Sequence, residues 1–195
     1  MSLATRLSAA LAIGAPDGLS SGDLADDDSV TETRQAAVLV AVTDRADPGV
    51  LFIVRPPDMR THAGQVAFPG GQVDPDDRDP AHTALREAWE ELAIDPALVA
   101  VCGLADRYRT ITNYCVTPVV GVVPADLSLT PDPTEVADWF EAPLGFILDP
   151  ANHHRRQVDI GGQARSYTQI DWNGRRIWGA TAAMLVNLSR RLHEA

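Results

Sequence analysis

Two short apolar runs, residues 36–43 and 50–55, stand on either side of a turn that holds Pro48 and Gly49. Runs of this length bounded by turn residues predict strands, and two of them this close predict a hairpin. The same pattern returns at 99–104, 115–123, 164–170 and 175–178. Helical spacing occurs in three places. Leu3, Leu7 and Leu11 recur every fourth residue, which predicts a short amphipathic segment over 3–13, either a docking helix or a frayed end. Ala81, Ala84, Leu85, Ala88 and Leu92 form a second apolar stripe. A third helix is expected over 179–192, with Ala183, Leu185, Leu188 and Leu192 facing inward.

The breaks between these elements are equally informative. Asp79 suits a helix N-cap and Pro80 a first helical position, where its missing N–H costs nothing. Pro96 ends that helix because it disfavours helical geometry at Asp95. Residues 14–29 are rich in Gly, Ser and Asp and read as an exposed linker. A loop over 56–64 leads into 65–68, after which Pro69-Gly70-Gly71 breaks the chain. Strands and helices mix without a regular βαβ alternation, so the expected class is α+β, with an α/β/α layered arrangement. The expected organisation is an N-terminal helix and flexible linker over 1–30, then one domain over 31–195.

Composition narrows the classes of function. With 195 residues and 45% apolar content the chain can bury a substantial core. No apolar run approaches the ~20 residues needed to span a bilayer, and no signal-like segment stands at the N-terminus, so the expected location is the cytoplasm. Cys102 and Cys115 form no metal motif and no disulfide framework. The net charge is −11, which argues against broad nucleic-acid binding. All sixteen basic residues are arginine, so lysine nucleophiles and Schiff bases are excluded. His153-His154-Arg155-Arg156 reads as a solvated basic cluster.

One feature of the middle helix points to chemistry. Glu87, Glu90 and Glu91 lie at i, i+3 and i+4, side by side, with only Arg86 nearby. Each like-charged pair costs roughly 0.2–0.5 kcal/mol when nothing offsets it. At about 100° per residue the three centre roughly 120° from the apolar stripe, facing away from the main core. Such a cluster calls for a cation.

From Gly70 to Ile94 the chain reads GGQVDPDDRDPAHTALREAWEELAI. It resembles the Nudix box, G-x5-E-x7-R-E-U-x-E-E-x-G-U with U aliphatic, most closely at Arg86-Glu87-Ala88-Trp89-Glu90-Glu91 and Ile94. Asp77 stands where the family has its first glutamate, with one extra residue before Arg86, and Ala93 replaces a glycine. The resemblance implies an α/β/α sandwich around a mixed sheet. It implies Mg2+ or Mn2+ held by Glu87, Glu90 and Glu91, with the Gly71 carbonyl as a further ligand. Arg86 is expected to orient a glutamate, and Asp77 to brace the loop. Hard cations of this kind prefer carboxylate oxygens and activate water beside a phosphate.

Upstream, Arg55, Arg60, Gly64 and Phe68-Pro69-Gly70-Gly71 are similar to the segment that marks the coenzyme A diphosphatase branch of that family; Phe52, Ile53 and Pro56 depart from it. Arg55 and Arg60 are candidates for phosphate binding, or for pairing with Asp58 or capping a strand end. Gln65 and His62 are candidates for lining the pocket. Glu87 and Glu135 share the expectation of general base, and Glu141 comes second outside the box. The resemblance thus implies hydrolysis of the diphosphate of coenzyme A or its thioesters to 3′,5′-ADP and 4′-phosphopantetheine or its acyl form. Another nucleoside diphosphate derivative, ADP-ribose or a dinucleotide, is the alternative substrate. A ligand-binding regulator that has lost catalysis is the alternative of a different class, against which the intact Arg86, Glu87, Glu90 and Glu91 argue. A homodimer is left open.

Overall fold

The computed structural model describes residues 1–23, 33–59, 62–160 and 163–193. Its elements, in chain order, are α1 (Leu3–Ala12), β1 (Arg34–Asp44), β2 (Gly49–Val54), β3 (Val66–Ala67), β4 (Gly70–Gln72), α2 (Pro80–Leu92), β5 (Ala100–Leu104), β6 (Tyr108–Arg109), β7 (Tyr114–Pro124), β8 (Asp138–Pro143), α3 (Leu144–Leu148), β9 (His154–Ile160), β10 (Gln163–Trp172), β11 (Arg175–Trp178) and α4 (Gly179–His193). An eight-stranded mixed sheet runs β3-β2-β1-β7-β5, with β4 beside β1, β6 beside β7 and β8 beside β2. β9, β10 and β11 form a separate antiparallel sheet.

The centre of the large sheet is the parallel pair β1–β7, in register from Arg34 opposite Tyr114 to Asp44 opposite Pro124. Alternate residues of β1 feed two cores. Val40 and Val42 pack with α1, α3 and α4, while Ala37, Leu39 and Ala41 pack with Ala84, Ala88 and Leu92 of α2. Because both faces are covered, β1 and β2 read as unbroken apolar runs rather than alternating ones. This is the expected α/β/α sandwich. Among the described residues no helix is long and apolar enough to cross a membrane.

Several elements depart from the sequence reading. Gly70 and Gly71, read as a break, form β4 against β1, Gly70 opposite Val38. A Cβ at Gly70 would lie 2.5 Å from the Ala37 carbonyl oxygen, so the run is a close-packed strand that only glycine permits there. β6, β8 and β9 carry no apolar run of their own, and α3, though apolar, spans only five residues; β8 takes its place by pairing with β2 from Gly49–Pro143 to Val54–Asp138. In α4, Ala183 and Leu192 are only half-buried, because Asn187, Ser189 and Arg191 take inner positions.

Those polar groups explain why the described part of the 14–29 stretch is docked rather than free. Asn187 donates to the Ser20 carbonyl at 2.8 Å and accepts from its N–H at 3.0 Å. Gly22 bridges to Arg109, and the Asp23 carboxylate accepts from the Tyr108 hydroxyl at 2.6 Å and the Ile111 N–H at 3.1 Å. The acidic run Asp26-Asp27-Asp28 lies outside the described residues.

α2 ends at Leu92, ahead of the stop expected at Pro96, and it does so on an unusual residue. Ala93 is left-handed, at φ 56°, and its N–H donates to the Trp89 carbonyl at 2.9 Å. A Cβ in that region costs roughly 1–2 kcal/mol, partly offset by the greater chain entropy of glycine when unfolded. Ala93→Gly is therefore expected to stabilise the protein by about 0.5–1 kcal/mol, read as a rise in urea midpoint at unchanged slope.

Candidate metal centre and catalytic site

The site is built where α2 crosses β4. Asp79 caps the helix, accepting from the His82 N–H at 2.8 Å, and Pro80 follows at the first position. With Ala84, Ala88 and Leu92 pressed on the sheet, Glu87 and Glu91 turn toward the glycines. Glu91 Oε2 accepts from the Gly70 N–H at 2.9 Å, and a Cβ at Gly71 would lie 2.5 Å from the Glu87 carboxyl carbon. Glu91 is 1% exposed. The expectation that all three glutamates face away from the core fails there, because β4 closes over the helix flank.

Arg86 organises the surrounding carboxylates. Its Nε and Nη2 donate to the two oxygens of Asp77 at 3.1 and 3.0 Å, and Nη2 also reaches the Gln72 carbonyl at 3.2 Å. Nη1 donates to Glu87 at 2.8 Å and to Glu90 at 3.0 Å. Asp77 also accepts from the Asp74 N–H at 2.9 Å, so the shorter residue still ties the loop to the helix. Glu90, held by Arg86 with its side chain 49% exposed, is not among the carboxylates that converge.

The Arg86 hydrogen bonds hold the Asp77 carboxyl well below its ordinary value of 3.8. A depressed carboxylate contributes stability that is fully present above the unfolded pKa and is lost as pH falls through the folded one. Asp77→Asn is accordingly expected to lower stability at neutral pH. That deficit should shrink as wild type loses its advantage below about pH 4. Urea titrations from pH 7 down to acid would show it; a deficit independent of pH would contradict the assignment.

The third converging carboxylate comes from the loop between β7 and β8. Asp132 shapes that loop: its side chain accepts from the Thr134 N–H and hydroxyl, both at 2.8 Å, and its carbonyl accepts from the N–H groups of Glu135 and Val136. The Asp132 N–H donates to the Glu91 carbonyl at 3.0 Å, fastening the loop to α2 beside the site. Oxygens of Glu87, Glu91 and Glu135 consequently lie within 4.8 Å of one another. Burial pushes Glu91 up to about 8, helped by Glu87 and Glu135 and opposed by the Gly70 N–H and by Arg55. Burial also raises Glu87, against the pull of Arg86. Three close carboxylates form an all-oxygen donor set suited to a hard divalent cation.

Other predicted residues are placed as follows. The Arg55 Nε is buried without a hydrogen-bond partner, and its backbone N–H donates to the Gln65 carbonyl at 3.0 Å. Gln65 Oε1 lies 2.9 Å from His62 Nδ1 in the same loop. Arg60 lies outside the described residues. Glu141 is engaged elsewhere, bonded to the Thr43 hydroxyl at 2.6 Å and to Arg45 at 3.1 Å. Asp132 carries no functional signal in the sequence, where Asp-Pro-Thr marks only a turn.

A comparison with known families decides what this arrangement is: the Nudix domain matches residues 33–158. The chain belongs to the Nudix family. It is 41% identical over 161 residues to a Nudix hydrolase, NudL, of Cronobacter sakazakii, covering 83% of this chain and 84% of that one. To the NudL of Escherichia coli K12 it is 40% identical over 159 residues, covering 82% and 83%. Among solved structures, a MutT/nudix family protein from Enterococcus faecalis superposes with a TM-score of 0.52 at 12% identity, over 87% of this chain and 66% of that one, a likeness of fold alone. This Nudix protein is thus an enzyme, a diphosphatase of a family that acts on small molecules and generally uses divalent metal ions.

Proposed function

We propose that this Nudix hydrolase splits the diphosphate of coenzyme A or its thioesters, releasing 3′,5′-ADP and 4′-phosphopantetheine or its acyl form. The observation that carries the reading is Arg55: a guanidinium with a buried, unpartnered Nε–H, close enough to Glu91 to lower its pKa. A buried donor without an acceptor is costly, and a phosphate oxygen beside the carboxylate cluster would satisfy it. The register of Arg55, Gly64 and Phe68-Pro69-Gly70-Gly71 supports coenzyme A as the source of that phosphate.

Glu87, Glu91 and Glu135 would hold Mg2+ or Mn2+, with the Gly71 carbonyl as a further ligand. Glu90 remains a ligand at the rim that must release Arg86 to coordinate. When bound, the ion shields the phosphate charge and lowers the pKa of water. Arg86 keeps Glu87 in place, and Arg55 binds a phosphate oxygen. Glu135 takes the proton of the attacking water, since one oxygen of Glu87 is already engaged by Arg86. A bond from the water oxygen to phosphorus forms as the bridging P–O bond breaks.

The deciding experiment compares turnover of coenzyme A, dephospho-coenzyme A and ADP-ribose at equal magnesium, with products identified by mass spectrometry. Preference for coenzyme A is expected. Preference for ADP-ribose would overturn the substrate, and tight binding of all three without hydrolysis would favour the regulator.

A further inference from the structure

β9 and β10 pair over seven residue positions, from Gln163 opposite Ile160 to Gln169 opposite His154, whereas β11 pairs with β10 only from Gln169 to Trp172. Beyond Gln169 the hairpin therefore continues as a two-stranded ribbon. Its anchored end is well packed: Ile170 and Ile177 are fully buried, and the Trp172 ring lies tilted against Phe146, 4.6 Å between centroids. The ribbon itself is more open, with Tyr167 packed edge-on against Trp178 at 5.6 Å. Residues 155–159 are all exposed although successive side chains point to opposite faces, and Ala164 and Ser166 across the pair are exposed as well. Among the described residues no third strand pairs with either of its outer edges. A bare two-stranded ribbon is marginal in water, and open edges are sites of association.

Its charge indicates the partner. Arg155 and Arg156 on β9 and Arg165 on β10 outnumber Asp159 and make it basic, while the chain as a whole carries −11. The rest of the molecule is thus more acidic still. The return strand, β11 and α4 also lie beyond the residues that the Nudix domain matches. We propose that the β9–β10 ribbon is a dimerisation arm, laid by each copy of this chain against the acidic surface of the other. A reciprocal exchange of this kind closes on a two-fold axis and leaves neither arm bare. The arm is independent of the substrate assigned above.

The test uses the full chain. Sedimentation equilibrium in about 50 mM salt should give twice the 20.9 kDa chain mass, with dissociation promoted as salt rises and screening shortens. The charge-reversed variant Arg155→Glu/Arg156→Glu/Arg165→Glu should weaken association at least about tenfold while circular dichroism and turnover per chain are unchanged. Hydrogen exchange supplies a second reading that does not depend on the variant folding: arm amides in 155–159 and 164–168 should gain protection with protein concentration. A monomeric wild type at low salt would overturn the proposal, even if it bound anionic vesicles or nucleic acid. So would a dimer that the variant and high salt leave intact, or arm amides whose exchange ignores concentration.

Discussion

Glu91→Gln lowers turnover by about 10³-fold or more while the protein stays folded, because it removes the most buried charge of the converging set but keeps its shape. The amide oxygen can still accept from the Gly70 N–H, so the β4–α2 junction survives. The stability effect has the opposite sign to the activity effect. Glu91 is raised from 4.5 to about 8, so its charged form is disfavoured in the fold. Without metal, wild type therefore loses stability as pH climbs through that window, whereas the variant has no such group to ionise. In chelator at pH 8 the variant should unfold at a higher temperature than wild type. Adding magnesium should reverse the order, since a ligand that binds only the folded state stabilises in proportion to its affinity. Near-normal turnover, or an equal magnesium shift in both proteins, would sink the metal assignment.

Arg191→Met is expected to cost about 3–5 kcal/mol of stability, a large share of the 5–15 kcal/mol typical of a domain. Arg191 is 8% exposed. It pairs bidentately with Asp106 at 2.9 and 2.6 Å and donates to the Leu11 and Ile13 carbonyls at 3.1 and 2.7 Å, where α1 ends. One guanidinium thus joins α4, the loop between β5 and β6, and the N-terminal helix. Methionine fills the space but leaves a carboxylate and two carbonyls without their donor. Lysine keeps the charge and cannot span four acceptors, so it should fall between the two. Urea unfolding would measure the loss, and hydrogen exchange should show α1 opening first. A loss below about 1 kcal/mol would mean that the pair is merely a surface contact.

What could be read in advance divides along the same physical line. The start of α2 and its apolar stripe are legible because cap and stripe are interactions between neighbours in sequence, whereas its stop falls at Leu92, before the Pro96 signal. β1, β2 and β7 were legible because their burial on both faces demands long apolar runs. Glu87, Glu90 and Glu91 stand out beside Arg86 because three like charges side by side on one helix are themselves anomalous. β8 has no such sequence signal because Asp138, Trp139 and Glu141 owe their strand geometry to pairing with β2. Glu90 and Glu91 are adjacent and chemically identical, yet β4 buries one and Arg86 draws the other outward.

The chain alone therefore settles its local elements, its family resemblance and the demand for a cation, all of which rest on residues within a few positions of each other. Folding settles the membership of the carboxylate cluster. Glu135 stands forty-four residues beyond Glu91, and it arrives because its loop is fastened to the end of α2, the Thr130 N–H to the Leu92 carbonyl and the Asp132 N–H to the Glu91 carbonyl, both at 3.0 Å. Contacts across such separations depend on the path of the whole sheet, which no local pattern encodes.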